Sequence, residues 1–144
     1  MNKSIEEIIE ENGRHWQTTV GDSMEPMLRD RKNIVEIVKP TRPLKRYDLP
    51  LYRRPNGKYV LHRILRVKKD HYIIYGDNRY YREKVPKEWV IGVMSSYYKN
   101  NKFISEKSFK YRLYVHLVCD FFYIKAICFL VRDKIKSIFK SKKK

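Results

Sequence analysis

Between residues 16 and 94, short β-prone runs alternate with turn residues at close spacing, a pattern that confines the chain to a compact, mostly antiparallel sheet or barrel. Residues 16–20 lead straight into Gly21. Residues 33–39 alternate Ile34, Glu36 and Val38 against Val35, Ile37 and Lys39, and Pro40 and Pro43 close the run. Residues 49–53 are a weaker candidate, because Pro50 has no N–H to give a ladder. Asn56 and Gly57 form a hairpin turn of the positive-φ type, and residues 58–67 then read as one strand with Val60, His62 and Ile64 on one face. Lys69-Asp70 and Gly76-Asp77-Asn78 bracket a strand at 71–75, and 89–94 is the last clear one. No internal repeat interrupts this order.

Ahead of the strands, Ser4 and Glu7 form a capping box, Ile5, Ile8 and Ile9 follow helical spacing, and Gly13 suits the stop. A short amphipathic N-terminal helix is expected. The length of 144 residues fits one domain with an appendage. Composition shifts near Lys99, so one domain is expected over 1–98, a polar linker over 99–112 and an apolar, then basic, helical appendage over 113–144. Hydrophobic residues at 42% and aromatics at 14% supply a core despite the net charge of +17. That charge calls for an anionic partner, such as lipid headgroups or nucleic acid, or serves solubility alone.

The appendage bears on membranes. As one helix, residues 113–131 would reach about 28 Å. Their eleven Leu, Ile, Val and Phe residues favour insertion by roughly 3–7 kcal/mol, whereas Asp120 and Lys125 oppose it by roughly 5–7 kcal/mol. Spanning is therefore not favoured. Ile135, Ile138 and Phe139 share a face opposed by Lys134, Lys136 and Lys140, which suits peripheral attachment to an anionic membrane, on the cytoplasmic side. Packing onto the domain or into a dimer is the alternative. Cys119 and Cys128 would lie about 13 Å apart along a single helix and are expected reduced. Glu6, Glu7, Glu10 and Glu11 occupy the region where a cleavable export signal would need basic and then apolar residues, so none is expected.

The stretch Gly21-Asp22-Ser23-Met24-Glu25-Pro26 bends the backbone around a serine, as a nucleophile requires and as an ordinary polar turn also does. Catalysis needs a base, and His62 is the candidate, because an imidazole is already mostly neutral at pH 7. A half-buried histidine bonded to a carbonyl is the plainer alternative. Asp77 could accept from the other ring nitrogen, or only cap its own turn. His15, His71 and His116 lack ligand spacing and no phosphate-binding loop occurs, so no metal or cofactor is expected.

The blocks Gly21-Asp22-Ser23-Met24-Glu25-Pro26-Met27-Leu28, Leu61-His62-Arg63-Ile64, Tyr75-Gly76-Asp77-Asn78, Val85-Pro86 and Val90-Ile91-Gly92 together resemble the signal peptidase and LexA-like superfamily of serine peptidases, over residues 16–94. Histidine at 62 is similar to the archaeal and endoplasmic-reticulum signal peptidases rather than to the Ser-Lys members. The resemblance implies a mainly β peptidase domain over 1–98, with Ser23 as nucleophile, His62 as general base and Asp77 as supporting acid. It further implies oxyanion and substrate contacts from Ser23, Met24 and the strand edge Thr18, Thr19 and Val20, and a peptide or precursor substrate with small residues beside the scissile bond. Gly21 stands where some bacterial members carry a serine that helps the oxyanion hole, which leaves a second donor unassigned. Two other readings remain: a non-catalytic basic module that binds anionic membrane or nucleic acid, and a self-cleaving regulator of the LexA-like kind. The module does not explain why both dyad blocks are present, and the regulator would need an Ala-Gly or Cys-Gly bond that residues 1–22 lack. The peptidase reading requires Ser23 Oγ within about 3.5 Å of a His62 ring nitrogen, with Asp77 near the other.

Overall fold

The computed structural model describes residues 3–141. Ser4 Oγ accepts the Glu7 N–H at 3.3 Å while Glu7 Oε2 accepts the Ser4 N–H at 2.8 Å, which caps helix α1 (Ile5–Asn12). Gly13, at φ +74°, ends it in the left-handed conformation that glycine adopts without a Cβ penalty. The strands are β1 (Arg14–Thr18), β2 (Ile34–Val38), β3 (Pro50–Arg53), β4 (Tyr59–Leu61), β5 (Arg63–Val67), β6 (His71–Tyr75), β7 (Glu83–Pro86), β8 (Val90–Lys99) and β9 (Lys102–Ser105). Helices α2 (Phe109–Asp120) and α3 (Phe122–Ser141) follow. The chain is mainly β, and every strand pairing among the described residues is antiparallel.

Two sheets form. The larger has the order β1-β2-β8-β3-β4, with β9 also paired to β8, and the smaller is β5-β6-β7. The run expected as one strand over 58–67 is split between them. Leu61 pairs with Leu51 in the larger sheet and Arg63 with Tyr75 in the smaller, so His62 sits where the chain crosses from one sheet to the other. Pro50 is tolerated because it opens β3, a position where a missing N–H interrupts no ladder. Its carbonyl accepts the His62 N–H at 3.4 Å.

Leu28, Val35, Ile37, Leu49, Leu51 and Met94 fill the main core, closed by Ile9 of α1 and by Tyr111 and Val115 of α2. Tyr52, Ile64, Ile74 and Val85 join the two sheets in a second cluster. A third, of Leu65, Tyr75, Cys119 and Phe122, docks the corner between α2 and α3. Burying one phenylalanine there contributes about 1.5–3 kcal/mol.

The segment 99–112 is not a linker. It contains the end of β8, all of β9 and the first turn of α2, whose Tyr111 is buried and accepts a hydrogen bond from Arg63 Nη1. The appendage is not one helix either, because α2 and α3 bend by 61° at Phe121. Among the described residues, no single helix is long and apolar enough to cross a membrane. Cys119 is buried, Cys128 is exposed and both are free thiols. Residues 142–144 of the expected basic tail lie outside the described residues.

Candidate active site

The serine loop is shaped locally and then clamped from across the fold. Gly21 takes φ +90°, a conformation costly for any residue with a Cβ, and its N–H donates to Asp30 Oδ1 at 2.7 Å. The loop then turns tightly, with the Glu25 N–H on the Asp22 carbonyl at 3.1 Å and the Leu28 N–H on the Met24 carbonyl at 2.9 Å. From the other side, the Asn78 N–H donates to the Ser23 carbonyl at 2.8 Å and Arg79 pairs with Asp22 at 2.5 Å. Position 76 must be glycine for this approach, because a Cβ there would meet the Ser23 carbonyl oxygen at 2.6 Å. Among the described residues, no acceptor takes the Ser23 backbone N–H, which leaves that donor free at the bend.

Ser23 Oγ lies 2.9 Å from His62 Nε2. Behind the ring, His62 Nδ1 lies 3.4 Å from Tyr52 Oη, and Tyr52 donates its own proton to Glu83 Oε2 at 2.7 Å. With that proton committed, Tyr52 Oη can only accept from His62. Nδ1 therefore carries the ring hydrogen and Nε2 is bare toward the serine, which is the tautomer a general base needs. Burial foremost, followed by the hydrogen bond to Glu83, holds the Tyr52 phenol above its ordinary pKa and keeps it protonated. Glu83 is fixed by a two-pronged contact from Arg54, at 2.9 and 2.7 Å. Its burial raises the carboxyl pKa, but the Arg54 and Tyr52 hydrogen bonds outweigh that and hold it below the usual value.

Burial drives the His62 pKa down to about 4, with the Glu83 and Asp77 carboxylates opposing and the Arg54 and Arg79 guanidinium groups adding to the fall. The imidazole is thus neutral throughout the neutral range. Glu83 is the nearest compensation for the imidazolium that forms when the ring takes a proton.

Asp77 does not stand behind His62. Its carboxylate accepts Arg63 Nε and Nη2, each at 2.7 Å, and Tyr114 Oη at 3.1 Å. Both side chains of the Arg63–Asp77 pair are fully buried. Burial alone would lower the Arg63 pKa, and the Asp77 charge reverses that and holds it well above the ordinary value. The reason is register: Arg63 is one residue past His62, so it faces the opposite way, into the core that the Gly76-Asp77-Asn78 turn closes. Tyr52, Arg54 and Glu83 are the residues that sequence reasoning missed. The one signal, for Tyr52 and Arg54 alone, was alternation over residues 50–54, which sends those two to the same side of an extended chain.

The pair opens into a cleft of about 430 Å³. Met24, Leu28, Val35 and Leu51 form an apolar floor, Arg54, Lys58 and Arg79 lie along it, and no acidic side chain lines it among the described residues. Met24 thus belongs to the floor, and its Sδ accepts the Asp77 N–H at 3.5 Å. No protein-family model matches this chain, and no curated protein matches it. The two terminal strands of the larger sheet, β1 and β4, flank the cleft. Thr19 lines it but is spent internally: its N–H donates to the Asn33 carbonyl at 2.9 Å, its carbonyl accepts the Arg31 N–H at 2.8 Å, and Oγ1 donates to the Arg29 carbonyl at 2.7 Å. Backbone groups alternate sides along an extended chain, so Thr18 and Val20 turn theirs outward. An unpaired edge of this kind can hold an extended peptide.

Proposed function

We propose that this chain is a serine endopeptidase of the signal-peptidase and LexA-like type, with Ser23 as nucleophile and His62 as general base. The observation that carries the reading is the 2.9 Å approach of Ser23 Oγ to His62 Nε2, with Tyr52 and Glu83 in a chain behind the ring. The order of the sequence blocks around Ser23, His62 and Asp77 supports it independently.

A peptide in extended form lies along Thr18 and Val20 and sets its scissile carbonyl over Ser23, with the side chain before the bond, a small one by resemblance, on the apolar floor. Ser23 Oγ attacks the carbonyl carbon while its proton passes to His62 Nε2. The oxyanion accepts the Ser23 N–H. His62 then hands the proton to the leaving nitrogen, the C–N bond breaks, and an ester on Ser23 remains. Water, deprotonated by the same nitrogen, hydrolyses it. Glu83, through Tyr52, offsets the positive charge on the ring at each of these steps. Asp77 has a different task, holding Arg63 and the turn that backs the serine loop.

The test is cleavage of a peptide library containing small residues, read by mass spectrometry, with the wild type, Ser23→Ala and His62→Ala. Products from the wild type alone are expected. Equal product from all three proteins would overturn the Ser23–His62 assignment, and no product from the wild type would favour the non-catalytic basic module.

A further inference from the structure

The outer face of the C-terminal helices is apolar and turned away from the domain. In α2, Tyr111, Val115 and Cys119 are buried, and on the opposite side Phe109, Leu113 and Leu117 are exposed at four-residue spacing. Beyond the corner at Phe121, α3 continues with Ile124, Ile127, Val131, Ile135 and Ile138, each about half exposed or more. Intervals of three and four keep those five within an arc of about 80°. Asp120 and Lys125, the charges that disturb the hydropathy of this segment, are both engaged with the domain. Asp120 accepts Tyr47 Oη at 2.9 Å and pairs with Arg46 at 3.0 Å, and Lys125 Nζ donates to the Asp77 carbonyl. Lys125 lies off the α3 stripe, on the side of the helix that meets the domain.

Exposed apolar stripes on two successive helices of a chain of net charge +17 are not an ordinary surface. Arg132 and Lys134 flank the α3 stripe and Lys136 and Lys140 lie across from it, the arrangement of an interfacial helix whose cations reach the headgroups. We infer that the α2–α3 face docks on an anionic lipid bilayer, with the apolar stripe in the boundary between headgroups and acyl chains. A second copy on this face would bring two strongly basic helices together, like charge against like, whereas an anionic surface complements them. Together α2 and α3 have the length and composition of one crossing, but a span would strip Tyr111, Val115, Cys119 and Phe122 from the core. The inference stands apart from the chemistry at Ser23. It has a bearing on that chemistry, because the inner side of α3 carries the Lys125 contact to Asp77 and packs Phe129 against Tyr80, with ring centroids 6.0 Å apart. Lys125 and Phe129 thus tie α3 to the segment that backs the serine loop.

The experiment is flotation of the full chain with vesicles of phosphatidylcholine alone and with about 30% phosphatidylserine added. Binding to the anionic vesicles is expected, weakened about tenfold or more without the anionic lipid or in high salt. Ile127→Glu with Val131→Glu alters exposed positions only, so its circular dichroism and melting should match the wild type while its vesicle binding falls about tenfold or more. Absence of wild-type binding, or binding indifferent to these substitutions, overturns the inference. So does a lipid-free dimer that the same substitutions dissolve, which assigns the face to a second copy, and so does resistance to alkaline extraction, which assigns the pair to a membrane span.

Discussion

His62 and Arg63 are adjacent, yet they serve opposite ends of the fold. His62 meets its carboxylate through a phenol and keeps one nitrogen free at a cleft. Arg63 is saturated: besides two bonds to Asp77 it donates to the Tyr47 carbonyl, to Tyr111 Oη and to Met27 Sδ. The contrast teaches where reactivity is built. A base needs a vacant position and a charge held at one remove, whereas a clamp needs every donor filled. Two acids six residues apart, Asp77 and Glu83, divide along the same line.

The largest effect expected is on turnover. Ser23→Ala should lower kcat/KM for a cleaved peptide by about 10⁴-fold or more with the fold intact by circular dichroism. Next comes the clamp. Asp77→Asn leaves a buried guanidinium without its counter-charge and should cost about 3–5 kcal/mol in urea unfolding, a loss that Glu83→Gln, at a partly exposed position, should not approach. If the two variants lose stability equally, the division between clamp and catalytic support collapses.

Tyr52→Phe removes the acceptor behind Nδ1 while keeping the ring, and should lower kcat by about 10–100-fold with little change in KM. A purely structural role for Tyr52 would instead move stability and leave kcat alone. The pH profile sharpens the same point. With a His62 pKa of about 4, the base is available above that value and is lost as pH falls through it. Because the Glu83 charge raises that pKa, Glu83→Gln should move the acid limb of kcat/KM to lower pH. The smallest effect is expected at the cleft rim, where Lys58→Glu should raise KM about threefold for peptides with an acidic residue near the bond.

What could be read from the chain was local. Ser4, Glu7 and Gly13 fix α1 through contacts three to five residues away, and they form as their spacing predicts. Ser23 and His62 belong to recognisable blocks, and the structure brings those two side chains together. Asp77 also sat in such a block, but the block says nothing about the direction its carboxylate takes. That depends on the break at His62, which arises because Leu61 and Arg63 pair in different sheets. Glu83 lay in an Arg-Tyr-Tyr-Arg-Glu-Lys stretch without periodicity, and its meaning appears only when β6 and β7 carry it back to Tyr52 on β3. The 99–112 segment read as a linker on composition, because Asn100, Asn101, Ser105 and Ser108 hide a strand whose place is set only by its pairing to β8.

The central claim is that the Tyr52–Glu83 chain leaves His62 Nε2 bare beside Ser23. Nitrogen-15 NMR of the histidine rings across a pH titration measures it directly. The expected result is a His62 ring protonated on Nδ1 and bare on Nε2 at neutral pH, gaining its second proton only as pH approaches about 4, and at still lower pH in Glu83→Gln. A hydrogen on Nε2, or an ordinary titration near pH 6.5 that Glu83→Gln leaves unmoved, would contradict it.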